Sequence, residues 1–264
     1  MKIGFIGCGN MASAMIGGII KNHVASPEDI LASAKTEESR QRSREKLGIA
    51  LTSSNIEVTE FADVLVLAVK PFYYEEVITE IRRSVREDTI IVSIAPGKTL
   101  HWLENVFGSP LKIVRTMPNT PALVGEAMSC ICGNSHVTDQ DLHLICEIFQ
   151  GFGKTEMVTE ELIDVVVGVS GSSPAYVFMF IEAMADAAVA GGMPRAQAYR
   201  FAAQAVLGSA KMVLETGKHP GELKDMVCSP KGTTIEAVRV LEEKGLRSAV
   251  FEAVKACVEK SRNV

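Results

Sequence analysis

The 264-residue chain lacks the marks of several protein classes. It has no surplus of basic charge. Its 27 Lys and Arg face 32 Asp and Glu, for a net charge of −5, so there is no basic footprint for nucleic acid. Its six cysteines (Cys8, Cys130, Cys132, Cys146, Cys228 and Cys257) form no C-x-x-C pair. Cys130-x-Cys132 is too closely spaced for an ordinary zinc site, so we expect no metal and read all six as reduced thiols in a cytoplasmic protein. The five histidines lie in no catalytic cluster. No run of about 18 apolar residues is free of breakers. The most apolar region, 163–193, is cut by Ser172-Ser173-Pro174, Glu182 and Asp186, so no membrane span is expected. The first twenty residues have the single Lys and apolar run of a leader, but Gly4, Gly7, Gly9 and Asn10 interrupt them, and they read as part of the fold.

What is present is a globular composition, 47% hydrophobic and 22% charged, in a chain long enough for two domains. The most informative stretch is 2–12. A short apolar run ends in Gly7-x-Gly9-x-x-Ala12, and an apolar-periodic segment follows. As strand, turn and helix, this is a dinucleotide-binding fingerprint. Gly7 permits a sharp turn, Gly9 removes the Cβ that would hold a pyrophosphate away, and Ala12 permits close helix packing. Asn10 and Met11 open the helix whose free N–H groups face the phosphates. A Gly-rich turn in an ordinary βα unit is the plainer alternative.

Alternation continues to about residue 158. Strands are expected at 2–6, 30–34, 63–69, 89–94, 111–117, 127–132 and 154–158, with helices at 10–21, 37–47, 73–85, 100–107 and 139–150. Continuous apolar strands separated by helices argue for a doubly wound, mostly parallel sheet, an α/β Rossmann domain over residues 1–160. Thr138-x-x-Asp141 matches a capping box.

The end of the second strand selects the cofactor. NAD binders place Asp or Glu there to hold the ribose. This chain has Ser33-Ala34-Lys35-Thr36. Lys35 would attract a 2′-phosphate, and Ser33 or Thr36 could hydrogen-bond it. We therefore expect NADP (NADPH), with NAD as the alternative. Three later strand ends carry rigid or small residues suited to lining a flat ligand: Ala68-Val69-Lys70-Pro71, Ala95-Pro96-Gly97 and Met117-Pro118-Asn119-Thr120.

After residue 158 only helical periods are found, which gives an all-helical domain over 161–264. Residues 169–174 are expected to break one helix before a second runs to Ala190. Met179, Ala183, Ala187, Ala202 and Ala205 suit close helix packing, in a core or a dimer seam. Gly232-Thr233-Thr234, at a helix start, fits either an anion pocket or a simple Thr cap.

Together these residues resemble pyrroline-5-carboxylate reductases. The resemblance rests on Phe5–Met11, Leu67–Pro71, Val114–Pro121, Ser170–Tyr176 and Ser229–Thr234, spread over nearly the whole chain in family order. It implies an N-terminal Rossmann domain, a helical domain that builds a homodimer, often assembled into decamers, and reduction of a cyclic imine to proline. It also implies roles for matching positions. Asn55, Lys70 and 117–120 lie near the cofactor. Gly232, Thr233 and Ser172 hold the substrate, and the Thr234 hydroxyl reaches the ring nitrogen. Lys231, beside the carboxylate pocket, either attracts the substrate or points into solvent. The family usually has Gly where this chain has Ser173 and Lys231. Two other readings stay open. One is a related NADP-dependent reductase using a helix lysine, with Lys211 and Lys224 as candidates. The other is a non-enzymatic dinucleotide sensor.

Overall fold

The computed structural model describes residues 1–263. Its elements in order are β1 (Ile3–Ile6), α1 (Asn10–Lys21), β2 (Ile30–Ser33), α2 (Glu37–Leu47), β3 (Ala50–Thr52), α3 (Asn55–Phe61), β4 (Val64–Leu67), α4 (Tyr74–Ile81), β5 (Ile90–Ser93), α5 (Leu100–Phe107), β6 (Lys112–Met117), β7 (Ala127–Gly133), α6 (Asp139–Gln150) and β8 (Gly153–Met157). Then come α7 (Ile163–Val166), α8 (Ser173–Ala190), α9 (Arg195–Thr216), α10 (Pro220–Val227), α11 (Thr233–Glu243) and α12 (Leu246–Ser261). The chain divides into two compact units. One is Met1–Ser172 together with the chain from Cys257 on, and the other is Ser173–Ala256.

The first unit is an eight-stranded sheet in the order β3-β2-β1-β4-β5-β6-β7-β8. Every pair is parallel except β6–β7. Strands β1, β2, β4 and β5 are buried along their whole length. Alternate residues therefore feed two cores. Ile3 and Phe5 pack on one face with Met15, Ile16 and Phe149. Ile6, Leu65 and Leu67 pack on the other with Tyr74, Ile78 and Leu103. Each of these fully buried side chains contributes about 1.5–3 kcal/mol of transfer free energy. The strand order reverses between β1 and β4, where the flanking connections leave for opposite edges. In open sheets of this kind that point forms a crevice at the carboxyl ends of the strands.

The doubly wound, mostly parallel sheet matches the sequence expectation. The stretch between Gly48 and Asp63, which offers no strong period, forms β3 and α3. β3 is a three-residue edge strand, and α3 is capped by Ser54, whose Oγ accepts from Glu57 N at 3.1 Å. The capping box at Thr138–Asp141 is present, with both reciprocal bonds made. Burial opposes ionisation of Asp141, but two hydrogen bonds from Thr138 and one from Lys112 Nζ at 3.0 Å outweigh it. They hold the carboxyl below its usual range.

One expectation is corrected. Residues 169–174 do not break the helix. A π-helical turn at Val167–Gly171 carries it through to α8, with a bend at Ser172. An extra residue per turn absorbs the poor helix formers Gly168 and Gly171 without ending the run. The helical run Glu160–Ala190 is thus long and apolar enough to cross a membrane, by length and composition alone. Its first half is bonded into the αβ unit: Ile163 and Val167 are buried, and Asp164 accepts from Ser261 Oγ at 2.7 Å.

In the second unit, α8 and α9 form a hairpin closed through Gly192, which has φ +94°. Ala185, Ala198 and Ala202 are buried at their contact, while Phe178, Met179, Phe180, Phe201 and Leu214 remain exposed.

The packing of α1 gives a direct test. A Cβ added at Gly18 would lie 2.4 Å from Phe152 Cβ and 2.9 Å from the Gly151 carbonyl, whereas at Gly17 the only neighbour is Leu47 Cδ2 at 4.0 Å. Gly18→Ala should cost about 3 kcal/mol by chemical denaturation. Gly17→Ala should be neutral or stabilising by up to about 1 kcal/mol. Equal effects would contradict this packing.

Candidate functional site

Gly7 leaves β1 with φ +93°, and a Cβ there would sit 3.0 Å from the Ala68 carbonyl. Only glycine meets both constraints without strain. Gly9 is the N-cap of α1 and makes no side-chain cap bond, and the space where its Cβ would project is open. No acidic residue lies in the first turn of α1. Asn10 is exposed and Met11 half-buried beside this turn. The N–H groups that open the helix thus face outward with no side chain competing for them, as an anion site requires. A dinucleotide pyrophosphate fits this cradle.

The end of β2 departs from the sequence reading. Ser33 is buried, and its hydroxyl is turned inward. Ser33 Oγ accepts from Gly7 N at 3.2 Å and donates to Asn55 Oδ1 at 2.7 Å. Its one proton is committed, so it braces the glycine turn rather than presenting a donor. Asn55 is held likewise, its Nδ2 donating to Glu80 Oε2 at 2.8 Å. Thr36 caps α2, accepting from Ser39 N at 3.2 Å and donating to Ser39 Oγ at 2.8 Å. Lys35 is exposed, its ammonium 6.0 Å from the Tyr73 ring centroid. The sequence reading missed Arg40, one turn into α2, whose Nη1 donates to the Ala34 and Lys35 carbonyls at 2.7 and 3.2 Å. Its only sequence signal was a basic residue shortly after the strand end.

The three later strand ends stand on the same edge of the sheet. Ala68 N donates to the Ile6 carbonyl at 2.8 Å, which ties the end of β4 to β1. Val69 is half-buried and Lys70 exposed, and Pro71 opens a 3-10 turn. Beneath them Tyr74 Oη donates to the Leu67 carbonyl at 2.6 Å and accepts from Ser93 Oγ at 3.3 Å. Burial pushes the Tyr74 hydroxyl up to about 12, so it stays protonated and acts as a brace. Ala95 is buried, and Gly97 turns with φ +75°. Glu160 steadies the helix that follows, accepting from Leu100 N at 2.7 Å and from the buried Arg115 at 2.9 Å. Met117 is half-buried, Pro118 buried and Thr120 exposed.

Asn119 is the second departure. It is buried, and both ends of its amide are used: Nδ2 donates to the Ser170 carbonyl at 2.9 Å, and Oδ1 accepts from Met128 N at 2.9 Å. It therefore pins the Met117–Thr120 loop to the π-helical turn, a bracing role in place of the ligand contact expected of it. Ser172 follows that turn, its hydroxyl accepting from the Cys257 thiol at 3.2 Å.

In the second unit, α11 begins at Thr233 with Gly232 as N-cap and no side-chain cap bond. Both threonines lie inside the first turn, so neither is the cap that the simpler sequence alternative required. A Cβ at Gly232 would meet Ser229 Oγ at 2.4 Å. Thr234 is half-buried and Thr233 exposed. Lys231 takes φ +57°, a left-handed position unusual for a side-chain-bearing residue. The two candidate catalytic lysines are ion-paired, the exposed Lys211 to Glu215 at 3.4 Å and the half-buried Lys224 to Asp225.

Burial pushes the Cys130 thiol up to about 11 and raises Cys132 as well, so neither is a ready nucleophile. Among the described residues no group of His, Cys, Asp and Glu could hold a metal.

The glycine cradle supplies a prediction. Gly7→Ala should lower Tm and weaken dinucleotide binding at least about tenfold, because the new Cβ both meets Ala68 and strains the turn that orients Gly9. Calorimetric titration with NADPH measures it, and unchanged affinity would contradict the cradle.

Comparison with known proteins identifies the family. Residues 160–264 match the family model for pyrroline-5-carboxylate reductase dimerisation, and residues 2–97 match that for coenzyme F420-dependent NADP oxidoreductases. The chain is 56% identical to the pyrroline-5-carboxylate reductase of Escherichia coli, over all of this chain and 98% of that one. It is 45% identical to the enzyme of that name from Methanosarcina acetivorans, over all of this chain and 97% of that one. Among solved structures, the pyrroline carboxylate reductase of Plasmodium falciparum with NADP bound superposes with TM-score 0.89 at 33% identity, over all of this chain and 97% of that one. That of Coxiella burnetii superposes with TM-score 0.92 at 34% identity, covering 99% and 97%. A prephenate dehydrogenase from Aquifex aeolicus, 17% identical with TM-score 0.56, shares the fold alone. With full-length relatives at these identities, the chain belongs to the pyrroline-5-carboxylate reductase family.

Proposed function

We propose that this chain reduces the C=N bond of 1-pyrroline-5-carboxylate to L-proline with hydride from NADPH, NADH being the alternative donor. The observation that carries it is the pair of helix starts, α1 and α11, each opening on a glycine with no side-chain cap. One suits a pyrophosphate and the other a carboxylate, which are the two anions this reaction brings.

NADPH, when bound, supplies the hydride, and the protein supplies orientation. Gly7, Gly9, Asn10 and Met11 form the pyrophosphate turn. Lys35 faces the 2′-phosphate, with Thr36 capping α2 in the same loop and Ser33 and Asn55 bracing that edge. Ala68, Val69, Lys70, Pro71, Ala95, Gly97, Met117, Pro118 and Thr120 line the remainder, and Asn119 fixes the last of these loops. The N–H groups of Gly232 and Thr233 hold the substrate carboxylate, with Lys231 next to them in the same turn, and the family resemblance adds Ser172 as a substrate contact. The Thr234 hydroxyl reaches the ring nitrogen, accepting from the N–H of the protonated imine and able to donate to the amine once hydride has arrived. A protonated imine is already electrophilic, so no strong acid residue is needed, in keeping with the scattered histidines. Positioning is then the main contribution.

The two competing readings fare worse. A lysine-dependent reductase needs a lysine free to exchange a proton. Lys211 is paired with Glu215, and hydrogen bonding to Asp225 raises Lys224, which keeps its ammonium charged. A sensor without activity would be expected to have lost the substrate loop, and Gly232-Thr233-Thr234 is intact.

The domain assignment that goes with this reading is 1–160 for the cofactor and 161–264 for substrate and dimerisation. Apolar residues left exposed on α8 and α9 support a homodimer. Assembly into decamers rests on the family resemblance. The net charge of −5 argues against a nucleic-acid partner, and the bonds that fix 163–170 to the αβ unit argue against a membrane span. A cytoplasmic location, where thiols stay reduced, is in keeping with six free cysteines.

Thr234→Ala should lower kcat about ten- to a hundredfold, the worth of one hydrogen bond to a charged group, with NADPH affinity unchanged. Steady-state rates at wild-type level in that variant would remove the role given to this hydroxyl.

A further inference from the structure

We infer that Arg40 is the residue that selects the 2′-phosphate of NADPH, and that Glu37 is a built-in competitor occupying its place. This deepens the reading above and rests on it.

Arg40 sits in the first turns of α2, just beyond β2, where this fold reads the ribose 2′ position. Its side chain is only 15% exposed, folded back over the loop. Nη1 is fixed by the Ala34 and Lys35 carbonyls at 2.7 and 3.2 Å. The other edge of the guanidinium converges on one atom: Nε and Nη2 both donate to Glu37 Oε2, at 3.0 and 2.5 Å. A fork closed on a single anionic oxygen is the geometry that a phosphate oxygen takes on arginine.

The two partners are held very differently. The loop carbonyls anchor Arg40, whereas Glu37 is 69% exposed on the surface of the same helix. The Glu37 carboxylate stays in contact with water whether paired or not, so little is lost when a stronger anion displaces it. A 2′-phosphate carries more charge and more acceptor oxygens, and it would replace Glu37 on the fork. A 2′-hydroxyl cannot, so with NADH the Glu37–Arg40 pair stays closed. Lys35 lies on the same loop, and no carboxylate pairs with it among the described residues, so it adds attraction without competition. Ser33, whose proton is spent on Asn55, leaves the selective contact to these cations.

The test compares full-length wild type, Glu37→Gln and Arg40→Gln. Dissociation constants for NADPH, NADH and 2′,5′-ADP are measured by calorimetric titration. Arg40→Gln should weaken NADPH and 2′,5′-ADP about tenfold or more while NADH is unchanged, as expected for loss of a charge-assisted bond. Glu37→Gln keeps the loop anchors and should tighten NADPH and 2′,5′-ADP severalfold, again without changing NADH. An NADPH/NADH ratio within about twofold of wild type in either variant overturns the inference. So does equal weakening of both cofactors in Arg40→Gln, which would mark a merely structural role in the loop. A wild-type protein that binds neither cofactor would remove the dinucleotide reading itself, and this inference with it.

Discussion

The turn at Gly7 is the constraint on which the rest depends. β1 must end in a left-handed residue pressed against the Ala68 carbonyl, and the Gly7 N–H must be satisfied from the side. Ser33 does this and is itself fixed by Asn55, so one chain of hydrogen bonds joins the ends of β1 and β2 to the start of α3. Because β1 and β4 flank the reversal in strand order, this small network sets where α1 begins and how its open N–H groups point. A change in any member would reach the anion site through geometry rather than through a lost ligand contact.

A second regularity concerns helix starts. Helices α2, α3, α5 and α6 are each capped by Thr or Ser, whose oxygen accepts from a first-turn N–H. Those caps stabilise each helix by about 1 kcal/mol. α1 and α11 forgo them and begin on glycine. α4, α7 and α9 also lack a side-chain cap, so what marks α1 and α11 is a glycine N-cap that leaves the first-turn N–H groups uncrowded. Lys231, held in a left-handed conformation just before Gly232, adds strain to the second of these. Such strain clusters at functional sites.

Much of this was legible in the sequence because it is written in residue types with few substitutes. Gly7, Gly9 and Ala12 announced the turn, continuous apolar strands announced a sheet covered on both faces, and Thr138-x-x-Asp141 announced its cap. What could not be read was the direction of side chains. Ser33 and Asn119 have the chemistry of ligand contacts, yet each spends its groups on the protein. Their partners, Gly7, Asn55, Met128 and Ser170, are up to 51 residues away in sequence. β3 and α3 were too short for periodicity to register. The π-helical turn at Val167–Gly171 was hidden because Ser, Gly and Pro are breakers on average, whereas here the wider turn continues the helix and one bond from Asn119 to the Ser170 carbonyl fastens it. Arg40 escaped notice in a helix crowded with charge.

The chain is a reductase of a cyclic imine that draws hydride from a phosphorylated nicotinamide dinucleotide. The most direct measurement is oxidation of NADPH and of NADH, in parallel, by the purified full-length protein with 1-pyrroline-5-carboxylate. Substrate-dependent oxidation with formation of proline, faster with NADPH than with NADH at equal low concentration, is the predicted result. No substrate-dependent oxidation of either dinucleotide would contradict it.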